Sequence, residues 1–280
     1  MTKKERLIVF TTGLILLTIF TFTDLQISNV IYTKNWYGRF FEIIGELPFE
    51  FLALLGSLLL FRFRSKKNRF INVLTGILTI LLAVLFLFMA GYMTLMYLED
   101  NAIILPSYFA YLIAGIMLLI AVVVAKQVSE DKAQQAVTYG IIAIVYIILV
   151  IVVMNSLKTV WGRMRLREMT DPLQEFTRWY KITSRGGFDN VYASFPSGHS
   201  MNSAAIILLI LLPSFLPKLQ DKTKLLKFIA YGWALIVGSS RIVMGAHFAS
   251  DVTVGILLSF ALFDITYLIV KKFRKNALSI

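Results

Sequence analysis

The sequence predicts an all-α fold, a polytopic integral membrane helical bundle of about eight transmembrane helices. Three observations carry this. Of its 280 residues, 58% are hydrophobic and 16% charged, whereas soluble domains sit near half apolar and a quarter charged. Several segments stay apolar long enough to cross a hydrocarbon core about 30 Å thick. Most of the 28 Lys+Arg lie in short clusters flanking those segments. The net charge of +12 therefore reads as a topology signal rather than a nucleic-acid footprint. With no cysteine, disulfides, thiolate chemistry and thiolate metal binding are excluded.

The apolar stretches run over about 7–24, 47–63, 69–97, 103–125, 136–157, 200–216, 225–244 and 251–270. The first follows Lys3, Lys4 and Arg6, the flank of a signal peptide. No alanine precedes Ala53, so the small-residue cleavage site is missing and the segment is expected to stay as an anchor. Between the first two stretches lies a mixed segment with Trp36, Tyr37, Phe40 and Phe41 near Lys34 and Arg39. Aromatic and basic side chains together favour the headgroup layer, which predicts an interfacial helix ending at Pro48, with Glu46 as an interfacial cap. No internal repeat, low-complexity tract or domain boundary is visible, and 1–280 reads as one membrane domain.

If the helices alternate, the basic clusters at Lys3/Lys4/Arg6, 62–69, Lys126/Lys132, 218–227 and 271–275 share one side. Positive charge marks the cytoplasm, so both termini are expected there in a multi-pass cell-membrane protein. The opposite side carries 24–46, the acidic 98–102, the loop 158–199 and the bend at 245–250. The loop 158–199 breaks the charge rule, with Lys158, Arg163, Arg165, Arg167, Arg178, Lys181 and Arg185 on the outer side. A bound anion is the natural reason for so much positive charge there.

Three clusters converge on that outer boundary: 158–165, 196–199 and 240–251. Pro196 and Gly198 shape a turn, the Ser197 hydroxyl can donate, and the N–H groups opening the next helix suit a phosphate. Lys158, Arg165 and Arg241 add fixed positive charge. His247 and Asp251 stand four apart; if a helix already begins there, they share a face, and Asp251 accepts from one imidazole nitrogen, leaving the other more basic. His199, the second of only two histidines, is placed to protonate a departing oxygen. In-line displacement between two imidazoles needs no metal.

At these residues the sequence resembles the type 2 phosphatidic acid phosphatase (PAP2) superfamily, in its bacterial membrane lipid phosphatase branch. Its pattern is K-x6-RP, PSGH and SR-x5-H-x3-D. Lys158 and Arg165 keep the first spacing; Pro196 to His199, and Ser240, Arg241, His247 and Asp251, match the other two in full. The resemblance implies that Lys158, Arg165, Arg241, Ser197 and Gly198 hold phosphate. It makes His247 the nucleophile that becomes a phosphohistidine, His199 the general acid, and Asp251 the residue orienting His247. It implies hydrolysis of phosphate monoesters or diphosphates of lipids, with phosphatidic acid, phosphatidylglycerol phosphate and undecaprenyl diphosphate as the classes in view. No cofactor or metal is called for. The expected partners are the lipid phosphate substrate and membrane lipids, with no nucleic acid and no obligatory protein partner.

Leu166 stands where the pattern has proline, which should affect loop geometry rather than reaction type. Bacterial members have six spans, three before the first motif; five precede it here. The expectation is a six-helix PAP2-like core plus two, the added pair being 69–97 and 103–125. Arg163, Arg167, Arg178, Lys181 and Arg185 are expected to be solvated or to meet lipid headgroups. Asp264, near a cytoplasmic helix end, is expected to be solvated or paired. Two alternatives stay open. A phosphotransferase would use the same phosphohistidine, and a binding or transport protein would use the cationic pocket only to hold lipid phosphates. The related vanadate-dependent haloperoxidases are soluble, which argues against that chemistry.

Overall fold

A computed structural model of the chain describes residues 1–183, 185, 187 and 189–274. Among these, ordered structure is helical throughout, and no strand is present. Helix α1 (Lys3–Ile31) opens with a capping box in which Thr2 and Glu5 satisfy each other's backbone N–H. Helix α2 (Trp36–Ile44), capped by the Asn35 side chain, forms over the mixed aromatic and basic segment and ends before Pro48. It exposes Trp36 and Phe40 and buries Gly38 and Glu42. Helix α3 (Leu47–Arg62) follows with Pro48 in its first turn, where the missing N–H costs no hydrogen bond.

Helices α4 (Arg69–Asp100), α5 (Tyr108–Lys126) and α6 (Ala133–Trp161) come next, with a single turn, α7 (Pro172–Glu175), in the loop after α6. Helix α8 (Gly198–Ala204) continues as a 3-10 helix over Ala205–Ser214; α9 (Thr223–Val243) and α10 (Ala249–Phe273) complete the fold. The chain is a multi-pass membrane protein: seven helical segments are long and apolar enough to cross a bilayer, α2 and α3 counting together as Trp36–Arg62. The remaining stretch predicted from sequence, 200–216, is the shorter Gly198–Ser214. Its switch to 3-10 geometry lengthens the rise from about 1.5 to about 2.0 Å per residue, so this segment still reaches roughly 30 Å. Of the basic cluster at 271–275, Lys275 lies outside the described residues.

The chain divides into two compact units, each drawn from three separated stretches. The first comprises Met1–Gly45, Leu149–Ala205 and Tyr231–Asp264; the second comprises Glu46–Ile148, Ile206–Ala230 and the residues from Ile265 on. The first unit holds every residue of the three sequence clusters. In it, Asp264 is buried and paired with Arg6 at 2.6 Å, which settles its expected solvation or pairing as pairing.

In the second unit, helix backbones approach closely at small residues. A Cβ on Gly140 would stand 2.8 Å from the Gly56 carbonyl oxygen, and one on Gly91 would stand 2.6 Å from that of Ala110. Glu46 in this unit occupies the N-cap position of α3, but its side chain does not cap. Instead it accepts a hydrogen bond from Tyr97 Oη at 3.0 Å.

Candidate active site

The first unit draws the three clusters together through backbone hydrogen bonds. After α6, Gly162 takes a positive φ of 65° and turns the chain away from the helix axis. The segment beyond is stitched to the other two clusters. Ser194 N donates to Arg163 O at 3.0 Å, Arg165 N to Val191 O at 3.0 Å, and Arg167 N to Gly245 O at 3.0 Å. Ser197 N in turn donates to Asp251 O at 3.1 Å. A Cβ on Gly255 would lie 2.8 Å from Ser197 O, so glycine lets α10 approach this turn. Pro196, preceded by a cis peptide bond, leads into Ser197, whose Oγ accepts from Ser200 N at 3.4 Å and caps α8. Lys158, one turn before the end of α6, reaches the start of α8: a Cβ on Gly198 would be 3.3 Å from its Nζ.

His247 is buried in the bend between α9 and α10. Its Nδ1 lies 2.5 Å from Ser194 O. A carbonyl can only accept, so Nδ1 carries the proton and Nε2 of the neutral ring carries the lone pair. Burial lowers the His247 pKa well below its usual 6.5, and the charges of Arg165, Lys158 and Arg241 push it the same way. The hydrogen bond to Ser194 O opposes them without prevailing. At neutral pH the imidazole is therefore uncharged, and three of the predicted cations act on it at once.

Asp251 lies in the first turn of α10, which begins at Ala249. His247 thus precedes the helix, and the expected shared helical face does not exist. The direct Asp251–His247 bond is absent too. Asp251 Oδ1 accepts from Arg163 Nη1 at 2.5 Å, and Oδ2 from Ser194 Oγ at 2.6 Å and Phe248 N at 2.9 Å.

Arg163 corrects the expectation of a solvated or headgroup-facing residue most clearly, since it is 0% exposed. Besides Asp251, its guanidinium pairs with Asp24 at 3.0 Å and donates to Ser250 Oγ and to Thr177 O, each at 2.9 Å. The ring of Phe248 lies 4.1 Å from Cζ and that of Phe176 5.3 Å away. Asp24, on α1, also accepts from the Ser250 N–H at 2.9 Å and from the Ser250 hydroxyl. Arg178, Lys181 and Arg185 are exposed, as expected. Arg167 departs from the same expectation as Arg163: it is mostly buried and pairs with Glu168 at 3.2 Å and Glu42 at 3.5 Å.

Arg241, 2% exposed on α9, has a different pattern. Its Nη2 donates to Glu42 Oε1 at 2.6 Å, whereas Nε and Nη1 are buried without a hydrogen-bond partner among the described residues. Buried guanidinium nitrogens without partners are costly, and such donors suit an anion. Glu42 also brings His199 into the site, because His199 Nε2 lies 3.1 Å from the Glu42 carbonyl oxygen. Arg165 donates to Asn190 Oδ1 at 2.6 Å. Leu166 follows an Arg165 with φ −80° and ψ 144°, the extended conformation that a following proline would impose. Arg165 therefore already has the backbone conformation that a proline at 166 would require.

Sequence reasoning missed Asp24, Glu42, Ser194 and Ser250. Asp24 and Glu42 carried one signal, an acidic side chain within or beside an apolar segment, but nothing in the chain order names their partners.

Two comparisons bear on this arrangement. Residues 139–275 match the PAP2 superfamily model. The chain is also 43% identical over 72 residues to phosphatidylglycerophosphatase B of Bacillus subtilis (strain 168), covering 25% of this chain and 36% of that relative. No solved structure matches.

Proposed function

From the match of residues 139–275 to the PAP2 superfamily model, we propose that the protein is a membrane lipid phosphatase working through a phosphohistidine on His247, without a metal. The observation that carries this reading is that two guanidinium nitrogens of buried Arg241, Nε and Nη1, have no partner among the described residues, beside a neutral, buried His247 on which Arg165, Lys158 and Arg241 all act. Buried cationic donors left without a protein partner suit the oxygens of a phosphoryl group.

In this reading the His247 Nε2 lone pair attacks phosphorus while the bond to the lipid oxygen breaks. Lys158, Arg165 and Arg241 stabilise charge on the remaining oxygens, with Ser197 and Gly198 closing the site. His199 donates Nε2–H to the Glu42 carbonyl, so the proton for the leaving oxygen comes from Nδ1 of the protonated ring. The neutral His199 then takes a proton from water, which attacks the phosphohistidine and releases phosphate, returning both imidazoles to their starting states.

The named activity of the Bacillus subtilis relative favours a phosphatidylglycerol phosphate among the candidate lipids. The site faces the outer leaflet and both termini face the cytoplasm, a reading supported by the basic clusters of the other loops.

Release of inorganic phosphate from these lipids by purified protein in detergent with EDTA tests the proposal. His247→Ala should abolish release, and retention of full activity would refute the assigned nucleophile. His199→Ala should slow monoester hydrolysis by roughly 100- to 10,000-fold, and less for diphosphates, whose leaving group is less basic. Because the chain has no cysteine, a single Leu173→Cys variant, exposed in the loop after α6, can report sidedness. A membrane-impermeant maleimide should label it from outside in intact cells.

A further inference from the structure

We propose that Ser194 is the positioning residue through which Asp251 acts on the nucleophile, its side chain bonded to one and its main chain to the other. This rests on the reading of His247 as the nucleophile.

The geometry leaves Asp251 no direct route. Both carboxylate oxygens are committed, Oδ1 to Arg163 and Oδ2 to Ser194 Oγ and Phe248 N, while the imidazole Nδ1 is bonded to Ser194 O at 2.5 Å. Ser194 is fully buried, and its N–H donates to Arg163 O at 3.0 Å. Its backbone is thus held at the nitrogen, its side chain at the hydroxyl, and its carbonyl is the part presented to His247. Arg163 and Asp24 fix Asp251 from the far side.

The arrangement has a chemical consequence. A carboxylate bonded to Nδ1 would both orient the ring and stabilise positive charge on it. A carbonyl sets the same tautomer and orientation with only a dipole behind it. The phosphorylated ring, positively charged, then keeps a weak P–N bond, which favours the second, hydrolytic step.

The experiment is a double-mutant cycle with Ser194→Ala, Asp251→Asn and the pair, read by steady-state kinetics on a lipid phosphate and by the single-turnover rate of phosphoenzyme formation. Ser194→Cys serves as an intermediate, because a thiol is a weaker donor than a hydroxyl. Each single substitution should lower kcat on the order of 10- to 100-fold, the scale on which partners behind a reactive histidine act. KM and inhibition by inorganic phosphate should stay near wild type. The pair should be no slower than the worse single variant, and kcat should fall in the order Ser, Cys, Ala at 194.

Multiplicative losses in the pair would overturn the proposal, as would Ser194→Ala activity within twofold of wild type. So would losses confined to KM. Should Asp251→Asn not fold, the Ser, Cys, Ala series decides, a flat series overturning the proposal. His247→Ala run in parallel separates the two readings. If it stays active, the nucleophile assignment has failed; if it is dead while the cycle is additive, only the Ser194 relay has failed.

Discussion

Two buried arginines in the first unit show opposite states of saturation. Around Arg163, two carboxylates, a serine hydroxyl, a backbone carbonyl and two aromatic rings account for the guanidinium. Around Arg241, Glu42 takes one nitrogen, and two others are left without a protein partner among the described residues. The first region is complete in itself, and its role is to hold Asp251, Ser194 and thereby the His247 ring. The second is incomplete in itself, and in the proposed function it receives an anion. A buried cation whose hydrogen bonds are all satisfied belongs to the framework, whereas one whose bonds are half satisfied marks the ligand.

The largest effect expected from breaking this contrast is on stability at the saturated arginine. Arg163→Ala leaves Asp24 and Asp251 buried without their shared cation, at a cost of about 3–5 kcal/mol. It should appear as a sharply lowered thermal midpoint in detergent or as loss of folded protein. Arg241→Lys keeps a cation for Glu42 but removes the planar fork. It should leave the thermal midpoint close to wild type and lower kcat/KM by about 100- to 1,000-fold, the size of losing one charge-stabilising donor. If the two variants exchanged these signatures, the division between framework and binding site would collapse.

A smaller effect concerns pH. The His247 pKa lies below 6.5, chiefly through burial and then through Arg165, Lys158 and Arg241. The neutral, attacking form thus persists as the pH falls through 6.5, and the His247 limb of kcat/KM should lie below that value. Lys158→Met removes one of the charges lowering it, so in that variant the limb should move up toward 6.5 while overall activity drops. Smallest of all should be Leu166→Pro. Arg165 already has the backbone conformation a proline requires of its predecessor. Hydrolysis should change by no more than a few-fold, and a large loss would show that Leu166 is held by its buried side chain rather than by loop geometry.

The helical membrane fold was legible because apolar length and flanking charge are properties of contiguous sequence. Residues 200–216 were readable as apolar but not as partly 3-10, because both helix types accept the same residues. The motif residues were readable because their spacing is local and their types are rare, with both histidines falling in the clusters. Arg163 was misread because a lone arginine in a basic loop looks the same whether it meets water or two carboxylates. One of those carboxylates, Asp24, lies on α1, far away along the chain.

The sequence alone determined a membrane-spanning helical chain, a basic loop at 158–199 and the local motifs on which the proposed phosphoryl transfer rests, because each depends on composition or short-range spacing. Only the tertiary structure decided that Asp251 turns to Arg163 and Ser194 instead of His247, that Glu42 divides its carboxylate and carbonyl between Arg241 and His199, and that two nitrogens of Arg241 find no partner among the described residues. These are choices among competing partners for the same buried polar groups. Such choices are made by three-dimensional proximity and by the cost of leaving a buried charge unmatched, neither of which is written in chain order.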